Sequence, residues 1–222
     1  MIRGGAVGDL FSGADESRPA VETMAEGAVL LRGFAAAEAA NLVTAVNRIA
    51  AAAPFRHMVT PGGFTMSVAM TNCGSAGWVT DRRGYRYDPV DPASGKAWPK
   101  MPALFLGLAA RAAAAAGFGG FAPDSCLINR YVPRSRLTLH QDRNERDFAA
   151  PIVSVSLGLP ATFLFGGAKR SDRPKRLRLA SGDVAVWGGP ARLAFHGVDV
   201  LLEGEHDLTG RARLNLTFRR AL

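Results

Sequence analysis

Eight short segments in the C-terminal half decide the fold: CLINRYV (126–132), RLTLHQD (136–142), IVSVSLGL (152–159), TFLFGG (162–167), RLRLASG (176–182), VAVWGG (184–189), LAFHGV (193–198) and RLNLTFR (213–219). They are rich in β-branched residues or alternate polar with apolar side chains, and Gly, Pro, Asp and Ser stand between them. Alternation at period two, interrupted at intervals of roughly ten residues, is the pattern of an all-β sandwich or barrel. The reading is a mainly β fold, a double-stranded β-helix (jelly roll) with its core over 123–220, buttressed by flanking N-terminal helices.

Those helices lie upstream. The stretch 34–53 (FAAAEAANLVTAVNRIAAAA) spaces its apolar residues three and four apart, and Pro54 stops it. A second helix is expected over 102–116 (PALFLGLAARAAAAA), with Pro102 in its first turn and Gly117 at a left-handed exit. Between them, residues 54–101 are rich in Gly and aromatics and read as hairpins and loops, a lead-in to the core. Residues 1–20 are polar and without period, so a loose tail is expected. No linker divides the remainder, so 21–222 is read as one domain.

At 222 residues, with 48% hydrophobic and 21% charged residues, the chain suits an ordinary globular domain. Disorder, collagen and coiled coil are excluded as descriptions of the whole. No stretch reaches the roughly 18 to 20 apolar residues of a membrane helix. Asp9, Asp15 and Glu16 stand where a signal peptide would be apolar. A cytoplasmic protein is expected, with Cys73 and Cys126 as buried free thiols. The net charge of +8 points to a polyanionic partner, nucleic acid first and an anionic membrane second. A genome favouring Ala, Gly and Arg would give the same bias.

There are four histidines: His57, His140, His196 and His206. His140 and Asp142 stand at i and i+2 of an alternating segment and so share a face. His196 lies in a second strand. Two imidazoles and a carboxylate converging from two strands form the facial triad of non-haem Fe(II) oxygenases, which leaves three coordination positions open. Two core histidines held by hydrogen bonds are the alternative. In RLNLTFR, Arg213, Asn215, Thr217 and Arg219 share one face, opposite Leu214, Leu216 and Phe218. Two arginines on an interior face require an anion beside them, because an unpaired buried guanidinium is costly. A dicarboxylate held by fork-like hydrogen bonds would meet that need. An edge strand with its arginines in water would not require one.

His140-Gln141-Asp142, His196 and Arg213-x-Asn215-Leu216-Thr217-Phe218-Arg219 resemble the AlkB family of Fe(II)/2-oxoglutarate dioxygenases. So do Pro54-Phe55-Arg56, MVTPGGFTMSVAMTNCG (58–74), CLINRY (126–131) and APIVSVSLGLPATF (150–163). The resemblance runs over residues 27–220. It implies that His140, Asp142 and His196 bind Fe(II), and that Asn129, Tyr131, Arg213, Asn215 and Arg219 hold 2-oxoglutarate, with O2 as the other cosubstrate. Trp78, Tyr85, Arg86 and Tyr87 would contact the damaged nucleotide, with His140 as one wall of the pocket and Asn144 and Arg170 as further substrate contacts. The implied reaction is oxidative demethylation of bases such as 1-methyladenine and 3-methylcytosine in DNA, and in RNA as well, releasing formaldehyde, succinate and CO2. Single-stranded substrate is expected, because a base inside a duplex cannot enter a pocket without flipping. A monomer is the expected state.

Two positions depart from the family pattern. Asn144 stands where Asp is expected, and an amide lacks the charge that favours a cationic lesion. Leu214 replaces an aromatic residue on the outward strand face. The residues alone leave two other readings open. One is the same iron chemistry on a lipid, protein side chain or small molecule. The other is a non-catalytic nucleic-acid-binding jelly roll with structural histidines. The basic charge and the Trp78/Tyr85/Tyr87 cluster speak against the former, and Fe(II) uptake dependent on Asp142 separates the latter. His206 reads as solvated. His57 and the basic run KRSDRPKRLR (169–178) read as solvated residues or nucleic-acid contacts.

Overall fold

The computed structural model describes residues 20–222. The chain runs β1 (Val21–Ala25), β2 (Ala28–Leu31), α1 (Ala39–Ala52), β3 (Arg56–Val59), β4 (Thr65–Gly74), β5 (Gly77–Asp81), β6 (Gly84–Asp88) and α2 (Ala103–Ala115). It continues through β7 (Ser125–Tyr131), β8 (Leu137–His140), β9 (Ile152–Gly158), β10 (Ala161–Phe165), β11 (Lys175–Leu179), β12 (Val184–Trp187), β13 (His196–Val198) and β14 (Arg213–Arg219). The tail expected over 1–20 lies outside the described residues except for its last position.

All eight C-terminal segments form strands. A large sheet has the order β1-β2-β12-β9-β14-β7-β4-β3, a smaller one β11-β10-β13-β8, and β5-β6 pair by themselves. Every pairing is antiparallel. A cavity lined from both β14, β7 and β9 and β8, β10 and β13 lies between the two sheets. This is the jelly roll expected from the alternation.

The two helices cover the outer face of the large sheet. Leu42, Val46 and Ile49 of α1 and Phe105, Leu108 and Ala112 of α2 share one core with Val153, Val155, Leu216 and Phe218. Phe105 meets Phe218 edge-on, with ring centroids 5.8 Å apart. Gly117, at φ +87°, ends α2 as expected, and Phe118 N–H donates back to Ala113 O. Pro102 stands one residue outside the helix, in extended backbone, rather than in its first turn.

The core is wider than 123–220. Residues expected to be loops and hairpins contribute β3 and β4 to the large sheet, and the β1-β2 hairpin, absent from the sequence reading, extends its other side. β4 is ten residues long and pairs with β7 from Ala69 to Gly74. Its strand character comes from that long-range partner rather than from local propensity. The same pairing places Cys73 directly opposite Cys126. Both thiols are buried and free. No helix among the described residues is long and apolar enough to cross a membrane.

Phe105 anchors α2 to the strand that carries the arginines. Phe105→Ala is expected to lower unfolding free energy by about 3–5 kcal/mol, read as a lower midpoint in urea without a changed slope.

Candidate active site

β8 and β13 are antiparallel neighbours, and His140 and His196 are direct register partners. Pairing of two short strands thus brings together histidines far apart in sequence, with ring centroids 4.4 Å apart. Asp142 lies two residues past the end of β8, outside the strand where it was expected, yet its carboxylate still reaches both rings. His140 Nε2 is 3.8 Å from Oδ1 and His196 Nε2 is 3.7 Å from Oδ2. The donor atoms of the three residues all lie within 4.8 Å of one another.

Backbone carbonyls set both rings. His140 Nδ1 donates to Thr138 O at 2.8 Å and His196 Nδ1 to Ala194 O at 3.0 Å. Each Nε2 is thereby turned towards Asp142, the orientation a metal requires. Burial pushes His196 down to about 4, with His140 adding to the effect and Asp142 opposing it, so this imidazole is neutral at physiological pH. Burial works to raise the Asp142 carboxyl, but Arg219 and the two imidazoles outweigh it and hold it well below the usual carboxylate range.

β14 runs between β9 and β7 in the interior of the large sheet, which excludes the edge-strand alternative. Arg213, Asn215, Thr217 and Arg219 line the cavity and Leu214, Leu216 and Phe218 face the helices. The anion that two interior arginines call for is partly supplied by the chain. Arg219 donates to Asp142 Oδ2 from Nε at 2.9 Å and from Nη2 at 2.7 Å. Arg213 has no carboxylate. It donates to Ser156 Oγ at 2.9 Å and stacks over the Tyr131 ring. Arg213 Nε and Nη1, Arg219 Nη1 and Asn129 Oδ1 are buried without partners. Burial lowers the Arg213 guanidinium, as expected of a desolvated charge short of acceptors.

The cavity has a volume of about 520 Å³ and holds both ends of this arrangement. Asn129, Tyr131, Arg213, Asn215 and Arg219 line its inner wall, Trp78, Tyr85 and Asn144 line it at the β5-β6 hairpin, and Arg170 lines it as well, on the side of β8, β10 and β13. Trp78 and Tyr85 are stacked, with centroids 5.7 Å apart at 23°. Two residues of the hairpin lie elsewhere. Arg86 pairs with Asp81 and Asp88 and does not line the cavity. Tyr87 is turned inward and donates to Glu145 Oε1 at 2.6 Å. In the basic run, Lys175 Nζ donates to Met24 O and Arg176 pairs with Asp199, while Arg170 borders the cavity. His57 Nδ1 donates to Met66 O, and His206 Nδ1 accepts from Leu208 N–H in a turn.

Three sets of residues escaped the sequence reading. Glu145 pairs with Arg192 at 3.2 Å and with Arg219 at 3.4 Å, and Arg192 also donates to the Asp142 backbone carbonyl. Trp187 packs on His196 at 4.9 Å between ring centroids. Ser154 and Ser156 bond the inward side chains of β14. The two serines had a visible signal, their shared parity in IVSVSLGL. Glu145 had none, since it stands in the polar stretch QDRNERD (141–147), and Arg192, a lone charge in GGPARLAF (188–195), gave no sign of its partner.

The donor set and the orphaned arginine nitrogens together fit an iron ion and an anionic cosubstrate. The comparisons agree with that chemistry. The family model of the 2OG-Fe(II) oxygenase superfamily matches residues 27–219. The alpha-ketoglutarate-dependent dioxygenase AlkB of Escherichia coli strain K12 is 58% identical over 213 residues, 96% of this chain and 97% of that protein. An AlkB homolog of Caulobacter vibrioides is 50% identical over 181 residues, 81% of this chain and 80% of that one. The solved structure of OsALKBH1 aligns with a TM-score of 0.81 at 28% identity, covering 90% of this chain and 100% of that one. The chain belongs to the 2OG-Fe(II) oxygenase superfamily and, within it, to the AlkB dioxygenases.

Proposed function

We propose that this dioxygenase removes alkyl groups oxidatively from ring nitrogens of nucleic-acid bases, repairing DNA and acting on RNA as well. One observation carries the reading: a single cavity joins the His140/Asp142/His196 donor set and unpaired arginine nitrogens to a stacked pair of aromatic rings. His140, Asp142 and His196 would hold Fe(II). Arg213 and Arg219, with Asn129, Tyr131 and Asn215, would hold 2-oxoglutarate. When bound, iron and 2-oxoglutarate let O2 convert an N-methyl group to N-hydroxymethyl, which releases formaldehyde, with succinate and CO2 as the other products.

The chain's own residues provide placement. Thr138 O and Ala194 O keep both imidazoles turned with Nε2 inward. Arg219 fixes the Asp142 carboxylate and retains a free Nη1 for a carboxylate ligand. Trp78 and Tyr85 offer a flat apolar surface for a base, a sequence-tolerant contact. Exposed arginines, among them Arg170 and Arg143 at the cavity, supply the attraction to phosphate that positions a strand without reading its sequence. A base in a duplex must leave its stack to reach this depth, which favours single strands. Two free thiols and a nucleic-acid substrate suit the cytoplasm.

Asp142→Ala is expected to abolish stoichiometric Fe(II) uptake together with formaldehyde release from single-stranded DNA carrying one 1-methyladenine. Retained product would remove Asp142 from the metal site. Arg213→Met takes away a buried donor from the cosubstrate. Truncating one partner of such a charged contact costs about 2–5 kcal/mol, so KM for 2-oxoglutarate should rise more than tenfold while Fe(II) uptake persists. Finally, the same lesion should be turned over faster in a single strand than in a duplex, and equal rates would sink the flipping argument.

A further inference from the structure

Asp142 stands in irregular backbone. β8 ends at His140 and residues 141–145 belong to no strand, so no sheet ladder fixes the main chain behind the carboxylate. Asp142 is nevertheless buried, and a buried carbonyl needs a donor. Arg192 supplies it. Its Nη1 donates to Asp142 O at 2.9 Å, its Nε to Ala150 O at 3.0 Å and its Nη2 to Glu145 Oε2 at 3.2 Å. All three guanidinium nitrogens are engaged, the group lies over the Phe148 ring, and the side chain is 4% exposed. One side chain thus holds the start, the middle and the end of the segment 142–150.

The main chain of Arg192 belongs to the other half of the donor set. It follows a short helical turn (Gly189–Ala191) and stands two residues before Ala194, whose carbonyl orients the His196 ring. Arg192 N–H donates to Gly189 O and Ala194 N–H to Ala191 O, so this main chain is itself folded tightly. Beside it, Gln141 Nε2 donates to Leu193 O at 2.6 Å. Two cross-links running in opposite directions therefore join the segment of Asp142 to the turn before His196. Strand pairing holds the two histidines to each other. Arg219 fixes the carboxylate tip from the opposite sheet and leaves the backbone behind it to Arg192. The planar fork of arginine reaches several acceptors in fixed directions, which the ammonium of lysine does not.

We infer that Arg192 is a positioning residue of the metal site, keeping the Asp142 main chain in place against the turn that orients His196. The inference rests on the metal-site reading above and adds to it a residue that touches neither metal nor substrate.

The test titrates the metal-free full chain with Mn(II), a redox-stable divalent probe, and reads Kd from the electron paramagnetic resonance of the unbound ion. The native chain, Asp142→Ala, Arg192→Lys, Arg192→Met and Leu42→Ala are compared at a temperature where circular dichroism shows each folded. Arg192→Lys keeps a positive charge beside Glu145 but loses the fork, and Kd should rise about tenfold, the scale of losing an outer partner of a metal ligand. Arg192→Met should raise it at least as far. Leu42→Ala is the control for stability alone: it leaves a cavity under α1, remote from the site, and Kd should stay within about twofold of the native value. Native affinity in Arg192→Lys overturns the positioning role. So does an equal loss in Leu42→Ala, because affinity would then follow stability and not the clamp. If the native chain binds Mn(II) no better than Asp142→Ala, the metal-site reading fails and this inference with it.

Discussion

The site depends on one buried ion pair. Asp142 is desolvated between two imidazoles, where a lone carboxylate would take up a proton and cease to be a metal ligand. Two hydrogen bonds from Arg219 keep it ionised. The partner is supplied by the last strand, which lies in the opposite sheet, so the carboxylate is ready only when β14 has closed the large sheet. Losing one member of such a pair costs about 3–5 kcal/mol, because the survivor is left charged and unpaired. Ligand geometry and completion of the fold are thus linked by the same contact.

The pair does not stand alone. Glu145 takes up the other side of Arg219, pairs with Arg192 and accepts from the Tyr87 hydroxyl. Burial pushes the Tyr87 phenol well above its usual range, so it remains protonated and a donor. Tyr87 sits on β6, beside Trp78 in the register of the hairpin. The hairpin that carries the stacked rings is therefore tied to the Asp142 carboxylate through Glu145 and Arg219. Gly77, at the start of the same hairpin, packs so closely on Trp98 that an added Cβ would lie 2.4 Å from the indole. Trp98 in turn donates to Asp88 O at 2.8 Å, which fixes the hairpin from its other side.

The core was legible in the sequence where one strand carried its own alternation. β14 shows both of its faces in seven residues, and β9 does so through Ser154 and Ser156. The His140/Asp142 pair was legible for the same reason, and the resemblance joined His196 to it; the structure brings the three donor groups together. What local pattern could not show was pairing across long separations. β2 is four residues of AVLL, and β4 begins beside a Pro-Gly-Gly turn; each becomes a strand because β12 or β7 is there to meet it. Glu145 and Arg192 were hidden for a related reason. A lone charged residue reads as solvated whatever its neighbours, and only the tertiary fold turns these two inward to satisfy each other. Arg86 shows the converse: its place beside Tyr85 suggested a nucleotide contact, but two neighbouring aspartates hold it.

The arginines divide the electrostatic work by depth. Those on the surface act at long range on any phosphate chain, an attraction that salt screens over about 10 Å at 0.1 M and that cannot tell one base from another. Arg213 acts only at contact, because it is buried and desolvated. Its free N–H groups are costly until an acceptor meets them, a demand that the surface arginines, hydrated as they are, do not make. Between these two regions the cavity is lined by aromatic rings and neutral amides. A base that reaches this region meets flat rings and single hydrogen bonds rather than a field of charge.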